Sequence, residues 1–352
     1  MAINMSRLRV AIVGVGNTAS AIVQAPYYFR GKDSDNSLGG YKISDIEYVA
    51  AFDVNSRKVG KDLSQAIFAE PNITPKFTEI GNLGVKVSGG PILDGVAEHM
   101  FDIVKPIDRK CSVQEIADEI RDSGADVLVN LLPVGSENAT KFYAEAALKA
   151  GVAFVNAIPV FIASDKLWDE RFRLKKLPLL GDDIKGQIGA TILHRTLTRL
   201  FRLRNVKVIE TYQLNVGGNA DFLNLMDEDR LVSKRKSKTE AVTSMLPYNI
   251  GVRIGPSDYV PFLGNTKVAY IYFKGESFAG FPVTLDVKLV VDDKSMFAYS
   301  AVDAIRLAKV ALDRGEAGSI KEVSAFYFKH PPVQAESDEE AAKWIENWLS
   351  KK

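Results

Sequence analysis

One cysteine and three histidines are all that this 352-residue chain offers to the commonest disulfide, metal and acid–base chemistries. Cys111 has no second cysteine to pair with, so no internal disulfide can form. That fits a reducing compartment and predicts a cytoplasmic protein. His99, His194 and His330 stand far apart, no HxxxH or CxxC occurs, and each histidine reads as structural rather than as a metal ligand. No Gly-x-Ser-x-Gly elbow is present, which removes the usual serine-hydrolase reading.

An excess of one charge sign is lacking too. Lys+Arg number 45 against 44 Asp+Glu, a formal charge of +1, so no overall field draws the chain to nucleic acid or to a membrane. The longest apolar stretch, "VAFVNAIPVFIA" (152–163), is shorter than the ~20 residues a membrane span needs, and Asn156 and Pro159 interrupt it. The N-terminus passes within a few residues into a strand, with no apolar leader expected. With 46% hydrophobic and 25% charged residues, the chain reads as globular and long enough for about two domains.

What is present begins at "VAIVGVGNTASAIVQ" (10–24), an apolar strand running into Gly-x-Gly-x-x-Ala and then a helix. Gly14 permits the tight turn, Gly16 lets a pyrophosphate approach the backbone, and Ala19 lets helix pack on strand. The helix N-terminus offers free N–H groups to phosphate. Asp53 closes the second strand (46–54), where a carboxylate binds a ribose 2′-hydroxyl and repels a 2′-phosphate; NAD is therefore expected over NADP. The polar loop at 30–40 accounts for its distance from Gly14.

Helical spacing follows at 56–69, then a helix at 111–124, a strand at 125–133 and a helix at 136–151 with Ser136 as N-cap and Gly151 as C-cap. Strands at 152–159 and 177–183 and a helix at 188–201 complete an alternation that predicts a doubly wound parallel sheet. Residues 71–110 show no clear pattern. Beyond residue 205 the chain changes character. Long, partly alternating strands at 206–218, 267–275 and 282–293 predict a second, largely antiparallel sheet. A helix at 300–315 is expected to pack back on the first domain. The tail, 335–352, reads as a charged amphipathic helix with Trp344 and Trp348 on one face.

With so little histidine, proton transfer must fall to other groups. "GGNAD" is a glycine turn that delivers Asp221 at a strand end, and "SKRKSK" places Lys234 and Lys238 four apart on one helical face, with Arg235 and Lys236 turned away. Two lysines on one face repel unless an anion lies between them, and crowding depresses a lysine pKa toward that of a useful base. A solvated basic helix is the plainer alternative.

The segments "GVGNTASAIVQ", "LLPVGSENATKFYAEAALKAGVAFVNAIPVFIAS", "GDDIKGQIGAT", "QLNVGGNADFLN" and "SKRKSKTEAVTS" resemble the shorter prokaryotic and archaeal branch of the myo-inositol-1-phosphate synthase family. The similarity runs from about residue 8 to 333 and is densest over 128–245. It implies an α/β protein: a Rossmann NAD domain (1–188), a catalytic and tetramer-forming α+β domain (189–294) and a C-terminal segment (295–352) packing back on the first. It implies conversion of D-glucose 6-phosphate to inositol phosphate by oxidation at C5, enolisation, aldol closure of C6 on C1, and re-reduction. Carried over by motif, the catalytic set is Asp221, Lys234, Lys238, Lys267, Asp293 and Lys329. The cofactor set is Gly14, Gly16, Asn17, Thr18, Ala19, Asp53, Asn130, Pro133, Asp183 and Lys185, the last two between nicotinamide and substrate. A divalent or monovalent cation beside the NAD pyrophosphate is compatible with the family. Its members read Asp-Ser near Asp293, whereas this chain reads Asp-Asp-Lys-Ser, which leaves Asp292 open as the site carboxylate and admits a shifted substrate. A related cyclase or oxidoreductase on another sugar phosphate, and an idle NAD-binding homologue, remain the alternatives.

Overall fold

The computed structural model describes residues 7–351, apart from the side chains of residues 256 and 257. Residues 1–6, on which the expectation about a leader partly rests, lie outside the described residues.

The first half alternates strand and helix. β1 (Leu8–Val13), α1 (Asn17–Phe29), β2 (Ile46–Asp53), α2 (Leu63–Ala66), β3 (Val87–Gly89), α3 (Phe101–Val104), α4 (Val113–Asp122), β4 (Val127–Asn130), α5 (Glu137–Ala150), β5 (Ala153–Asn156), α6 (Lys166–Leu174) and β6 (Pro178–Leu180) follow in order. α7 (Ala190–Leu203) leads to β7 (Lys207–Gly217), α8 (Ala220–Asn224), α9 (Val232–Thr243), β8 (Gly251–Tyr259), β9 (Thr266–Glu276) and β10 (Pro282–Asp292). The chain closes with α10 (Ser295–Asp313), β11 (Gly318–Ser319), α11 (Lys321–Tyr327) and α12 (Asp338–Ser350).

The apolar runs of β1, β4 and β5 are buried on both faces, as a parallel sheet covered by helices requires. Strand order is β11-β6-β5-β4-β1-β2-β3, with every pairing parallel. The order reverses between β1 and β4, and a cleft opens at the carboxyl ends of these strands, where doubly wound sheets bind ligands. Ser136 does not cap α5 with its side chain; its hydroxyl donates to Pro133 O at 2.6 Å and secures the turn after β4. Gly151 ends α5 in the left-handed region as expected.

One local expectation is corrected, and the largely antiparallel second sheet is borne out with one parallel pairing. Residues 56–69 form only the one-turn α2. Lys58 is drawn inward to donate to Val15 O and Asn72 Oδ1, and the Asp62 carboxylate caps Ser64 while accepting from Leu83 N and Val85 N. These tertiary bonds outweigh helical spacing. The second sheet, β10-β9-β7-β8, is antiparallel in two pairings and parallel in the third, β7 with β8. A parallel neighbour requires a long crossover, and that crossover carries α8 and α9. Alternation along β7 and β9 buries Val208, Thr211, Ala269, Ile271 and Phe273 against α7, and leaves Tyr212, Leu214 and Tyr270 on the opposite, exposed face.

α10 is apolar along most of its length and packs beneath the first sheet beside α1. α12 docks with Trp348 buried and its Nε1 donating to Glu316 Oε2 at 2.8 Å. Truncating such a side chain costs about 3–5 kcal/mol.

Candidate active site

One cleft runs from the glycine-rich loop to the end of the second sheet, lined at one end by Gly14, Gly16, Asn17, Thr18, Asp53 and Pro133 and at the other by the lysines. Gly14 has φ +88°, and a Cβ there would stand 2.7 Å from Leu131 O, so only glycine fits. A Cβ on Gly16 would meet nothing within 4 Å; it would project into the open cleft. Gly16 also caps α1 without any side-chain bond to the helix N-terminus. An open cradle facing an uncapped helix start is what a pyrophosphate needs, so these residues fit a dinucleotide. Asp53 accepts from Val15 N and Asn55 N, both at 2.7 Å, which fixes the loop against β2.

Two expected cofactor residues stand back from the cleft. Ala19 is fully buried where α1 packs on the sheet. Asn130 is fully buried and bonds Thr140, Asn156 and Leu132 N, so it shapes the 131–133 turn from behind. Asn17 lines the cleft, while its Oδ1 accepts from Ile73 N and Thr74 N.

The lysine end is assembled by sheet register. Gly217, Lys267 and Val291 lie side by side at the ends of β7, β9 and β10. Asp293 therefore emerges beside Lys267, and its Oδ1 accepts from Lys267 Nζ at 2.8 Å. Gly218 turns the chain where a Cβ would fall 2.4 Å from Val260 O. Asn219 then caps α8 and reaches Asp293 Oδ2 at 3.3 Å. Asp221 stands in the first turn of α8 and accepts from Lys234 Nζ at 3.3 Å. The neighbouring aspartates have different partners: Asp293 meets Lys267 in the cleft, whereas Asp292 accepts from Asn265 and caps Ser295 N.

Lys329 arrives from 146 residues away because the 182–185 turn and the 327–330 segment exchange backbone bonds as a short antiparallel pair, including Lys329 N to Asp183 O at 2.7 Å. Its Nζ donates to Asp183 Oδ1 at 2.7 Å, and Ser237 Oγ donates to Asp183 Oδ2 at 2.5 Å. α9 shows the expected register. Lys234 and Lys238 face inward, Arg235 pairs with Glu228, and the Lys236 side chain is 55% exposed.

The electrostatics follow from burial and crowding. Lys238 makes no hydrogen bond or ion pair among the described residues, and burial together with Lys234, Lys267 and Lys329 pushes its pKa well below the ordinary lysine value. Burial also lowers Lys329, against the pull of Asp183. Burial alone would raise Asp221 and Asp293, but their lysine neighbours hold both carboxyls below the usual range. Burial brings Lys185 down to about 8, opposed by Asp338 of α12, whose Oδ1 accepts from Lys185 Nζ at 2.9 Å. At the lysine end of the cleft, Lys234, Lys238, Lys267, Lys294 and Lys329 stand around Asp183, Asp221 and Asp293, an excess of basic groups suited to an anionic substrate.

Residues 189–294 match the family described as Myo-inositol-1-phosphate synthase. The inositol-3-phosphate synthase of Mycolicibacterium smegmatis is 46% identical over 353 residues, covering 96% of this chain and 97% of that protein. That of Corynebacterium glutamicum is 46% identical over 349 residues, covering 95% and 96%. The chain belongs to the myo-inositol-1-phosphate synthase family. A crystal structure of a myo-inositol-1-phosphate synthase-related protein from Thermotoga maritima superposes with a TM-score of 0.79 at 26% identity, covering 98% of this chain and 99% of that one.

All six catalytic residues expected from family motifs converge on this one cleft. Sequence reasoning missed Ser237, Asn219, Lys58 and Lys294. Ser237 lies within the lysine motif, one residue before Lys238 and on the same inward side, a signal that was available. Lys294 stands next to Asp293, but only the structure shows its Nζ between Asp221 and Asp293.

Proposed function

We infer that the protein is an inositol-3-phosphate synthase, an isomerising cyclase that joins C6 to C1 of D-glucose 6-phosphate to form 1D-myo-inositol 3-phosphate. The observation that carries this is the lysine cluster opening into the same cleft as the dinucleotide loop. Gly14, Gly16, Thr18 and Asp53 would hold NAD. Bound there, NAD+ supplies a reversible hydride acceptor for C5 of the sugar.

The chain's own residues do the rest. Lys329 and Lys234, each on a carboxylate, are placed to hold and move the C5 hydroxyl proton. Lys238 has no carboxylate of its own, so the substrate phosphate is the anion that completes it; Lys267 shares that duty and holds the C1 oxygen. Asp293 orients Lys267. Fixed ammonium groups stabilise negative charge as it develops on the enolate and on the aldol oxygen. Ser237 keeps Asp183 aligned for Lys329. Among the described residues no three His, Cys, Asp or Glu converge, so a cation at the cofactor phosphates would rest on backbone oxygens, water and the cofactor itself.

A homotetramer is the assembly we propose, with the exposed face of the second sheet, including Tyr212, Leu214 and Tyr270, inside it. Among the described residues no helix is long and apolar enough to cross a membrane, and a lone cysteine suits a reducing cytoplasm.

The test is incubation with glucose 6-phosphate and a catalytic amount of NAD+. Inositol phosphate should form without a steady rise in absorbance near 340 nm, and deuterium at C5 should be retained in the ring. Stoichiometric NADH with a keto-sugar product would refute the cyclase. The Asp-Asp-Lys-Ser stretch, where the family reads Asp-Ser, favours a second reading, a related hexose phosphate as substrate. Faster turnover of another hexose 6-phosphate would establish it.

A further inference from the structure

Lys294 follows directly on Asp293, and no motif marks it. Its side chain is buried, and its Nζ lies 3.1 Å from Asp221 Oδ2 and 3.1 Å from Asp293 Oδ2. The same two carboxylates hold Lys234 at 3.3 Å and Lys267 at 2.8 Å. Two separate ion pairs are thereby joined into one alternating chain of charges. We propose that Lys294 is a positioning residue of the cyclase site: as the middle member of the chain Lys234–Asp221–Lys294–Asp293–Lys267, it holds both carboxylates in place and shares them, so that the two outer lysines keep capacity for an anionic substrate. This rests on the functional reading above.

Three observations favour the assignment over a plain structural ion pair. Lys294 is the N-cap of the 19-residue α10, where the helix dipole disfavours a cation. A lysine in that place is tolerable only because two carboxylates meet it. Lys294 also lines the cleft itself, and with Lys267 and Lys329 it faces the Phe297 ring, the three nitrogens lying 5.2–5.8 Å from its centroid. Finally, the two carboxylates touch a common nitrogen, so without it two buried like charges would stand within about 6 Å of each other. One would take up a proton, or each would close on its single remaining lysine. Burial works against the charge on Lys294, yet Asp221 and Asp293 raise its pKa above the ordinary lysine value. It is therefore a fixed cation rather than a base, in contrast to Lys329, whose pKa burial lowers.

The experiment compares wild type with Lys294→Met and Lys294→Arg. Its readouts are inositol phosphate release across pH, calorimetric binding of inorganic phosphate to the NAD+-loaded protein, NAD+ affinity and thermal midpoint. Lys294→Met should lower kcat at least tenfold and weaken phosphate binding severalfold. It should move the acid limb of the pH profile upward, with NAD+ affinity within twofold of wild type. Lys294→Arg should recover much of the loss, and methylammonium should partly rescue Lys294→Ala where tetramethylammonium, which has no N–H, does not. A folded Lys294→Met with kcat, KM and phosphate affinity within twofold of wild type overturns the proposal. So does failure of both neutral variants to fold, which would make the residue structural. If wild type releases no inositol phosphate, the functional reading falls, while the phosphate isotherms still decide the role of Lys294.

Discussion

Lys329 Nζ and Asp183 Oδ1 form a buried ion pair of 2.7 Å that ties the segment after α11 to the turn after β6. Burial lowers the Lys329 pKa and Asp183 pulls it back up. Removing the carboxylate charge must therefore lower it further. If Lys329 accepts the C5 hydroxyl proton, Asp183→Asn moves the acid limb of kcat/KM to lower pH. A lysine used only as a cation would instead bring the alkaline limb down. Lys329→Met should cut kcat by about 10²- to 10⁴-fold, the usual share of a general acid–base group. Turnover measured across pH separates the two roles.

Lys238 and Lys236 differ by two residues and by the face of α9 they occupy. Lys238 is buried in the cleft, whereas Lys236 sits in solvent 3.9 Å from Glu240. Lys238→Ala should lower kcat by roughly 10²- to 10³-fold, as loss of one preorganised electrostatic group does. NAD+ affinity should survive. Lys236→Ala should leave kcat within about twofold, since exposed pairs contribute little. Severe loss in Lys236→Ala with a mild Lys238→Ala would overturn the site.

Asp53 lines the cleft at the end of β2 while bonding Val15 N. If Asp53 meets the cofactor ribose, its charge would oppose a 2′-phosphate, and NAD+ should bind more tightly than NADP+ in calorimetry. Asp53→Ser should weaken NAD+ and narrow the gap between the two cofactors. Equal affinities in the wild type would remove Asp53 from this role.

His194 is buried between α7 and β7, contacting Thr211 Oγ1 at 2.8 Å and Gln213 Oε1 at 3.2 Å. Burial holds its pKa down at about 4 against 6.5 in an unfolded chain. Between these values the unfolded chain binds the extra proton. The stability carried by neutral His194 is therefore complete above about pH 6.5 and lost as pH falls toward 4, up to about 3 kcal/mol. His194→Gln should flatten the pH dependence of the denaturation midpoint in that window. An unchanged slope would show that other groups set the acid limb.

Much of this molecule was decided by residues close together in the chain. Gly14 needs a positive φ, Gly16 an open Cβ position, and Lys234 and Lys238 a 3.6-residue helical period; each is a local requirement, legible in a few letters. The alternation of buried runs with amphipathic helices likewise specified the parallel sheet. What tertiary structure alone decided are the meetings across distance. Residues 56–69 had helical spacing, yet the buried bonds of Lys58 and Asp62 shortened the helix to one turn. β8 escaped notice because its Gly- and Pro-bearing run carries no clean alternation, and its parallel pairing depends on the crossover that holds α9. Asp293 and Asp292 are indistinguishable as letters; β-sheet register turns one to Lys267 and leaves the other to cap α10. Lys294 next to Asp293, and Ser237 beneath Asp183, acquire their partners only when strand ends and helix faces converge. Local backbone preference is set by sequence neighbours, whereas a buried ion pair is set by which distant segments the packed core brings within about 3 Å.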